Sequence, residues 1–424
     1  MYKEHRSMKI KNIDSIEVLD SRGRPTLCTT VVLNDGCKGT AFVPSGASTG
    51  SLEAHELRDN EERYGGLGVQ NASENAKKLL EDLENKRADD QASIDKLLIE
   101  IDGTSNKSKI GANAILSVSI ACTRAAANSL NLNLYEYLNI LYKKQSNLHT
   151  EMSMPRPMLN IFNGGSHSNN DVDIQEFMII PSSDYSFRDG LMNSVSVYAA
   201  LKRRLSSSGL SVSVGDEGGF SPNLGSTENV LEEIIASIKD AGLKHNKDMF
   251  IALDCAATEL FDSGIYTLAG ENKKMQSDEM VEYIQKLIEK YEITSVEDPF
   301  DEKDWKAWQS LTEICKHTQI VGDDIFVTQK DLLNKGITTN AANAILIKPN
   351  QVGTITECFE TIKLAQENNI KTIISHRSGE TEDSFIADLS VAVDAKQIKT
   401  GAPARSDRTA KYNRLLMIEN ELYP

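Results

Sequence analysis

The stretch Ala344-Ile345-Leu346-Ile347-Lys348-Pro349-Asn350-Gln351 decides the fold. Four residues suited to a buried strand run directly into a lysine, and Pro349 then stops the ladder because it has no N–H to donate. Alone, a lysine at a strand end more often snorkels to water. The pattern, however, recurs along the chain. Residues 249–253 run into Asp254, 293–296 into Glu297, 320–322 into Asp323, 372–375 into His376, and 397–398 into Lys399. These intervals suit a strand, a helix and two short loops, since a crossover unit takes roughly 30 residues. The helices are legible too. Asp304 is placed to cap a helix over 305–316 with Trp305, Trp308, Leu311 and Ile314 on one face. Thr354 is placed to cap one over 355–367 with Ile355, Cys358, Phe359, Ile362 and Ala365 on one face. Repeated strand–helix units from 157 to 424 predict a (β/α)8-type barrel, in which strand C-termini share one mouth. Six polar residues far apart in sequence then become neighbours.

Upstream the text differs. Residues 10–18, 26–33 and 39–43 are rich in β-branched side chains, and Arg22-Gly23-Arg24-Pro25 and Asn34-Asp35-Gly36 are turn signals between them. They predict a three-stranded antiparallel meander. Residues 73–130 read as helices, and 110–130 is small and apolar enough for burial on most sides. A polar stretch, 143–154, ends at Pro155-Arg156-Pro157. The expectation is an α/β protein: an N-terminal α+β domain (1–142, meander plus helices), a linker (143–156), and the C-terminal barrel (157–424).

The chain has 424 residues and a net charge of −16, from 46 basic and 62 acidic side chains. That balance argues against nucleic acid or an anionic membrane as partner. A small phosphorylated substrate remains compatible if positive charge is concentrated at one site. No apolar run is long enough to span a bilayer. The six cysteines contain no C-x-x-C pair and read as reduced thiols. Residues 1–7 lack the apolar stretch of a signal peptide. The expected location is the cytoplasm.

Asp254, Glu297 and Asp323 are three carboxylates expected at one point. Bare, they would repel one another; a divalent cation removes the conflict, and all-oxygen ligation favours Mg²⁺ or Mn²⁺ over zinc. Facing them are Lys348, His376, Arg377 and Lys399, and Arg377-Ser378 offers a forked donor and a hydroxyl to a phosphate or carboxylate. A lysine at the edge of a core is poorly solvated, so the pKa of Lys348 is expected to fall toward that of a general base. Such a site suits proton abstraction beside a carboxylate, through an enolate-type dianion. Val214-Gly215-Asp216-Glu217-Gly218-Gly219-Phe220 puts Glu217 on a turn, as an acid whose pKa nearby negative charge would raise. His167 and Glu176 stand on another loop and strand start. The small residues from Pro44 to Gly50 read as a lid that brings a hydroxyl or carbonyl to a ligand.

Several segments extend this reading: LDSRG (19–23), VPSGASTG (43–50), GDEGGF (215–220), ALDCAA (252–257), SVEDP (295–299), VGDD (321–324), IKPNQVGT (347–354), SHRSGETED (375–383) and IKTGAPARS (398–406). In these segments, and in their order, the chain resembles the enolase family over essentially its whole length. The resemblance implies reversible dehydration of 2-phospho-D-glycerate to phosphoenolpyruvate. It implies Lys348 as the C2 base and Glu217 as the acid for the C3 hydroxyl, with Glu176 beside it. It implies Asp254, Glu297 and Asp323 as ligands of a first Mg²⁺, and Ser48 for a second that arrives with substrate. His167, Gln175, Arg377, Ser378, Lys399 and His376 become substrate contacts, His376 with a catalytic part as well. It further implies a barrel whose first strands break strict βα alternation, and a homodimer or homo-octamer. A lysine base with Mg²⁺ is a general feature of the enolase superfamily. Arg24, Ser168-Asn169, Thr258 and Leu260 depart from the family's usual residues, and none is a proposed chemical group. The alternatives are another metal-dependent α-proton abstractor of the superfamily, or a surface or scaffold binding role.

Overall fold

The computed structural model describes residues 8–46 and 50–424. Strands β1 (Ile10–Leu19), β2 (Pro25–Leu33) and β3 (Lys38–Phe42) form the expected antiparallel meander. Asp20 builds the first turn: its carboxylate accepts the backbone N–H groups of Arg22 and Arg24 at 2.8 and 2.9 Å. One face of the sheet packs on the helix Ala112–Leu130, which is buried along most of its length. The approach is close at Gly39, where a Cβ would sit 2.1 Å from the Ala121 carbonyl oxygen. Only glycine fits there.

The extended segment 147–155 leads from the helix Leu134–Ser146 into the barrel. Its strands are β4 (Arg156–Asn163), β5 (Glu176–Pro181) and β6 (Met249–Asp254). A small side sheet follows, formed by β7 (Phe261–Asp262), β8 (Ile265–Leu268) and β9 (Lys273–Met275). The barrel resumes with β10 (Ser295–Glu297), β11 (Gln319–Gly322), β12 (Ala344–Ile347), β13 (Lys371–Ser375) and β14 (Gln397–Lys399). The eight barrel strands close in the order β10-β11-β12-β13-β14-β4-β5-β6. From β10 round to β4 the pairs are parallel, whereas β5 is antiparallel to both β4 and β6. Residues 164–175 connect β4 straight to β5 without an α-helix, and two helices, Phe187–Ser207 and Thr227–Asp240, then precede β6. Periodicity did not reveal the side sheet or this reversal.

The reversal matters for the site. Because β5 runs the other way, its first residue, Glu176, lies at the mouth, in register with Asn163 of β4 and Asp254 of β6. Asp254 is in turn in register with Glu297 of β10. All six expected strand ends hold: Asp254, Glu297 and Lys399 close their strands, and Asp323, Lys348 and His376 follow directly on theirs. Below them, Met158, Met178, Ile180, Ala252, Val321, Ala344, Leu346 and Ile373 form an apolar plug. The mouth is therefore a cup with a dry floor. The helix Ile355–Glu367 matches its expected bounds and buried face. The other capped helix ends early, at Ile314, whose side chain is 52% exposed and not on the buried face.

The domains are locked together by buried polar contacts. Arg124 makes a two-pronged pair with Asp383, both bonds 2.6 Å, and Asp383 also accepts the Phe42 N–H. Asp95, on the helix Gln91–Asp102, accepts hydrogen bonds from the backbone and hydroxyl of Thr356 at the start of the helix Ile355–Glu367, at 2.9 and 2.7 Å. Burial nonetheless pushes Asp95 up to about 6. The folded state thus holds a proton that the unfolded chain gives up at lower pH, so this group's contribution falls as pH rises from about 4 to about 6, by about 3 kcal/mol in all. Urea unfolding of wild type and Asp95→Asn across this window is expected to differ in slope, with wild type losing stability as pH rises and the variant lacking that dependence.

Candidate active site

The barrel mouth holds a small cavity of about 30 Å³ whose lining includes His167, Glu176, Glu217, Lys348, His376 and Arg377. A larger cavity lies at the other end of the barrel, beside Arg156, Lys371 and Gln397, away from all of these groups.

Lys399 reaches across the ring from β14. Its ammonium donates to Asp254 Oδ2 at 2.9 Å and to both Glu297 oxygens at 3.0 and 2.9 Å, and lies 3.2 Å from Glu176 Oε1. This corrects the expectation that Lys399 stands on a wall opposite the carboxylates: it sits among them. Burial alone would lower its pKa, but Asp254, Glu176 and Glu297 drive it well above the ordinary lysine value. The physical reason is charge balance. Buried carboxylates need a positive group, and the strand register puts this one in reach.

Lys348 differs from expectation too. Its ammonium is hydrogen-bonded to Asp323 Oδ2. Burial is the largest single influence and pulls its pKa down as the sequence suggested, but Asp323 and Glu297 together turn the net shift upward. Asp323 is correspondingly held below the usual carboxylate range, against its own burial, by Lys348 and Arg377. Asp323 also accepts a hydrogen bond from Gln351, at 3.0 Å. The expected three-carboxylate cluster is thus divided: Asp254 and Glu297 gather on Lys399, and Asp323 on Lys348. Glu297 still feels both sides. Burial and Asp254 raise its pKa, Asp323 adds to the rise, and the two lysines oppose it.

Glu176 and Glu217 are fully buried neighbours. His167 Nδ1 lies 3.6 Å from Glu176 Oε1 and 3.7 Å from Glu217 Oε1. Like charges so close cannot both ionise freely. The proton belongs to Glu176, raised well above the usual range by burial and by Glu217. Glu217 goes the other way, against its burial, because the ring nitrogens of His376 and His167 face it and the Arg408 cation is close by. Its expected rise is therefore found on its partner. Glu217 accepts from Asn160 Nδ2 at 3.0 Å, and its turn depends on Gly218, at φ +86°, where a Cβ would also press on Ala404. His376 Nε2 faces Glu217 Oε2 at 3.3 Å, and burial pushes that imidazole down to about 3, so it is neutral.

Arg377 is buried and paired with Glu53 through both terminal nitrogens, at 2.9 and 3.1 Å, and it donates to Asn350 at 3.1 Å. Ser378 adjoins Arg22. Gln175 and His167 line the cavity. The Ser48 position lies outside the described residues. Nearby, Ser45 exchanges backbone hydrogen bonds with Gly379 at 2.8 and 2.9 Å, so the segment starts anchored at the mouth.

Sequence reasoning missed Glu53, Asn160, Asp298, Asp324 and Arg408. Asp298 accepts the N–H groups of both Asp323 and Asp324 at 2.9 Å. The adjacent acidic pairs Glu297-Asp298 and Asp323-Asp324 were a signal for two of these residues. Glu53 comes from the other domain, and Arg408 sits in a helix with no distinguishing pattern.

For a divalent cation the donor chemistry fits: Asp254, Glu297 and Asp323 are buried oxygen donors near one mouth, and Asp298, Asp323 and Asp324 present ligand atoms within 4.8 Å of one another.

Residues 10–138 match the family model described as enolase, N-terminal domain, and residues 151–423 match enolase, C-terminal TIM barrel domain. An enolase from a Nitratiruptor species is 50% identical over 418 residues, covering 98% of this chain and 97% of that protein.

Removing the central ammonium tests the charge balance. In EDTA, Lys399→Met is expected to lower unfolding free energy by about 3–5 kcal/mol, the usual cost of breaking a buried ion pair. Excess Mg²⁺ should restore part of the loss. Urea denaturation with and without the cation measures both effects.

Proposed function

Because the chain belongs to the enolase family, we propose that Lys348 removes the C2 proton of 2-phospho-D-glycerate and that Glu217, with Glu176 beside it, protonates the departing C3 hydroxyl. As a member of that family the protein is a phosphopyruvate hydratase, a lyase that interconverts 2-phospho-D-glycerate and phosphoenolpyruvate in glycolysis and gluconeogenesis, and it is metal-dependent. The observation that carries the proposed roles is placement. Lys348, after β12, and the Glu176–Glu217 pair, beside β5, lie on opposite sides of one closed ring, facing the same cavity. A base on one face and an acid on the other suit removal of a proton and a hydroxyl from adjacent carbons.

Each residue has a task that follows from its surroundings. Lys348 becomes a base only when Asp323 releases its ammonium, since that carboxylate is what keeps it protonated. Glu176 and Glu217 hold one proton between them, and a negatively charged substrate beside Glu217 favours moving it there. Arg377, held in place by Glu53, and Ser378 offer donors to the phosphate or carboxylate. His167, Gln175, His376 and Lys399 complete the substrate contacts. Asp254, Glu297 and Asp323 would hold the cation, which we take to be Mg²⁺, with a second entering alongside substrate and drawing on Ser48. Bound there, it supplies positive charge against the carboxylate end of the enolate-type dianion.

The proposal includes a cytoplasmic location, in keeping with buried thiols Cys122, Cys255 and Cys358 that burial keeps protonated. It also includes a homodimer or homo-octamer, which light scattering distinguishes. Among the described residues no helix is long and apolar enough to cross a membrane.

Two variants separate the two half-reactions. With Mg²⁺, Lys348→Ala is expected to lose turnover about 10²- to 10⁴-fold and to lose exchange of the C2 proton with solvent. Glu217→Gln should lose turnover on a similar scale and keep that exchange. NMR of C2-deuterated 2-phosphoglycerate reads exchange directly. Exchange surviving in Lys348→Ala would remove that residue as the base.

A further inference from the structure

Arg408 lies on the helix Ser406–Leu422, fully buried, and contacts no cavity-lining carboxylate directly. Its guanidinium is nonetheless spent on the two loops that carry the acid and its histidine. Nη1 bonds His376 Nδ1 and donates to the Arg377 carbonyl, both at 2.6 Å. Nη2 donates to the carbonyls of Asp216 at 3.1 Å and Ser378 at 2.6 Å. Nε lies 2.8 Å from Asp407 Oδ2, which balances the charge. One side chain therefore ties the residue before Glu217 to the residues on both sides of the His376–Arg377 step.

The contact with Nδ1 has a chemical consequence. A guanidinium has only N–H donors, accepts nothing and stays charged. Nδ1 of His376 must therefore present its lone pair. In a neutral ring the proton is then on Nε2, which faces Glu217 Oε2 at 3.3 Å, off the line of a full hydrogen bond. The other tautomer would aim a lone pair at the Glu217 carboxylate and an N–H at a cation, unfavourable at both ends. We propose that Arg408 is a positioning residue for the dehydration: it fixes His376 as the Nε2–H tautomer that faces Glu217 and holds both loops at that spacing. The inference rests on the assignment of Glu217 as the acid, and it adds the group that sets how Glu217 is met. Lysine cannot replace it, because a single ammonium cannot span a ring nitrogen and three carbonyls.

The test uses the full-length protein with ¹⁵N-labelled histidine, His376 being assigned by its loss in His376→Gln. Two-bond ¹H–¹⁵N correlations near neutral pH should show Nε2 protonated and Nδ1 bare in wild type. Arg408→Lys and Arg408→Ala should lower kcat about 10- to 100-fold, the range for removing a partner that orients a histidine, with little change in KM. The His376 pattern should shift away from pure Nε2–H, and added guanidinium should recover part of the Arg408→Ala activity. An Nδ1–H or doubly protonated His376 in wild type overturns the inference, even if no variant folds. A variant that is less stable yet keeps the wild-type tautomer and kcat also overturns it, because a merely structural role would do just that. The tautomer readout requires no turnover, so a failed assignment of Lys348 or Glu217 would be seen separately.

Discussion

A charged group taken out of water must find an opposite charge or give up its own, and the barrel mouth is organised by that constraint. Lys399 Nζ has Asp254 and Glu297 oxygens at 2.9–3.0 Å, on strands across the ring from its own. Separately, each ion would cost several kcal/mol to bury. Together they are tolerated, and they fix the relative positions of β6, β10 and β14. The apolar plug beneath them strengthens the effect by keeping the local dielectric low.

The same constraint arranges the chemistry. Carboxylates outnumber lysines at the mouth, so each proton's place depends on its neighbours. Asp323 keeps Lys348 charged, and Glu217 leaves the proton of its pair on Glu176. These preferences are balances among near neighbours, and an arriving anion or cation that competes for one partner shifts the next. A site built this way is poised to move protons without moving backbone. The rigid parts explain why: Glu53 holds Arg377, Asp298 holds the loop of Asp323, and Arg408 holds those of Glu217 and His376.

Much of this was legible in the residues, and the limits have physical causes. Strand ends at Asp254, Glu297, Asp323, Lys348, His376 and Lys399 could be read because buried parallel strands are short apolar runs with abrupt polar ends. Helix Ile355–Glu367 could be read because Thr354 caps it and its apolar face repeats. The reversal of β5 could not, since side-chain alternation carries no information on strand direction. Nor could the pairing of Lys399 with carboxylates across the ring, which depends on side-chain reach and register. For Lys348 desolvation was read with the right sign, but the opposing carboxylates Asp323 and Glu297, placed by different strands, were not. Glu53 and Arg408 were invisible because their partners are hundreds of residues away or on another loop.

The central claim is that Asp254, Glu297 and Asp323, now divided between two lysines, form one cation site that frees Lys348. Anomalous diffraction from crystals grown with Mn²⁺ and 2-phosphoglycerate tests it most directly. The account predicts a metal peak bonded to oxygens of all three carboxylates, with Lys348 Nζ released from Asp323 and directed at C2. A peak that omits Asp323, or Lys348 still bound to it beside the substrate, would contradict the account.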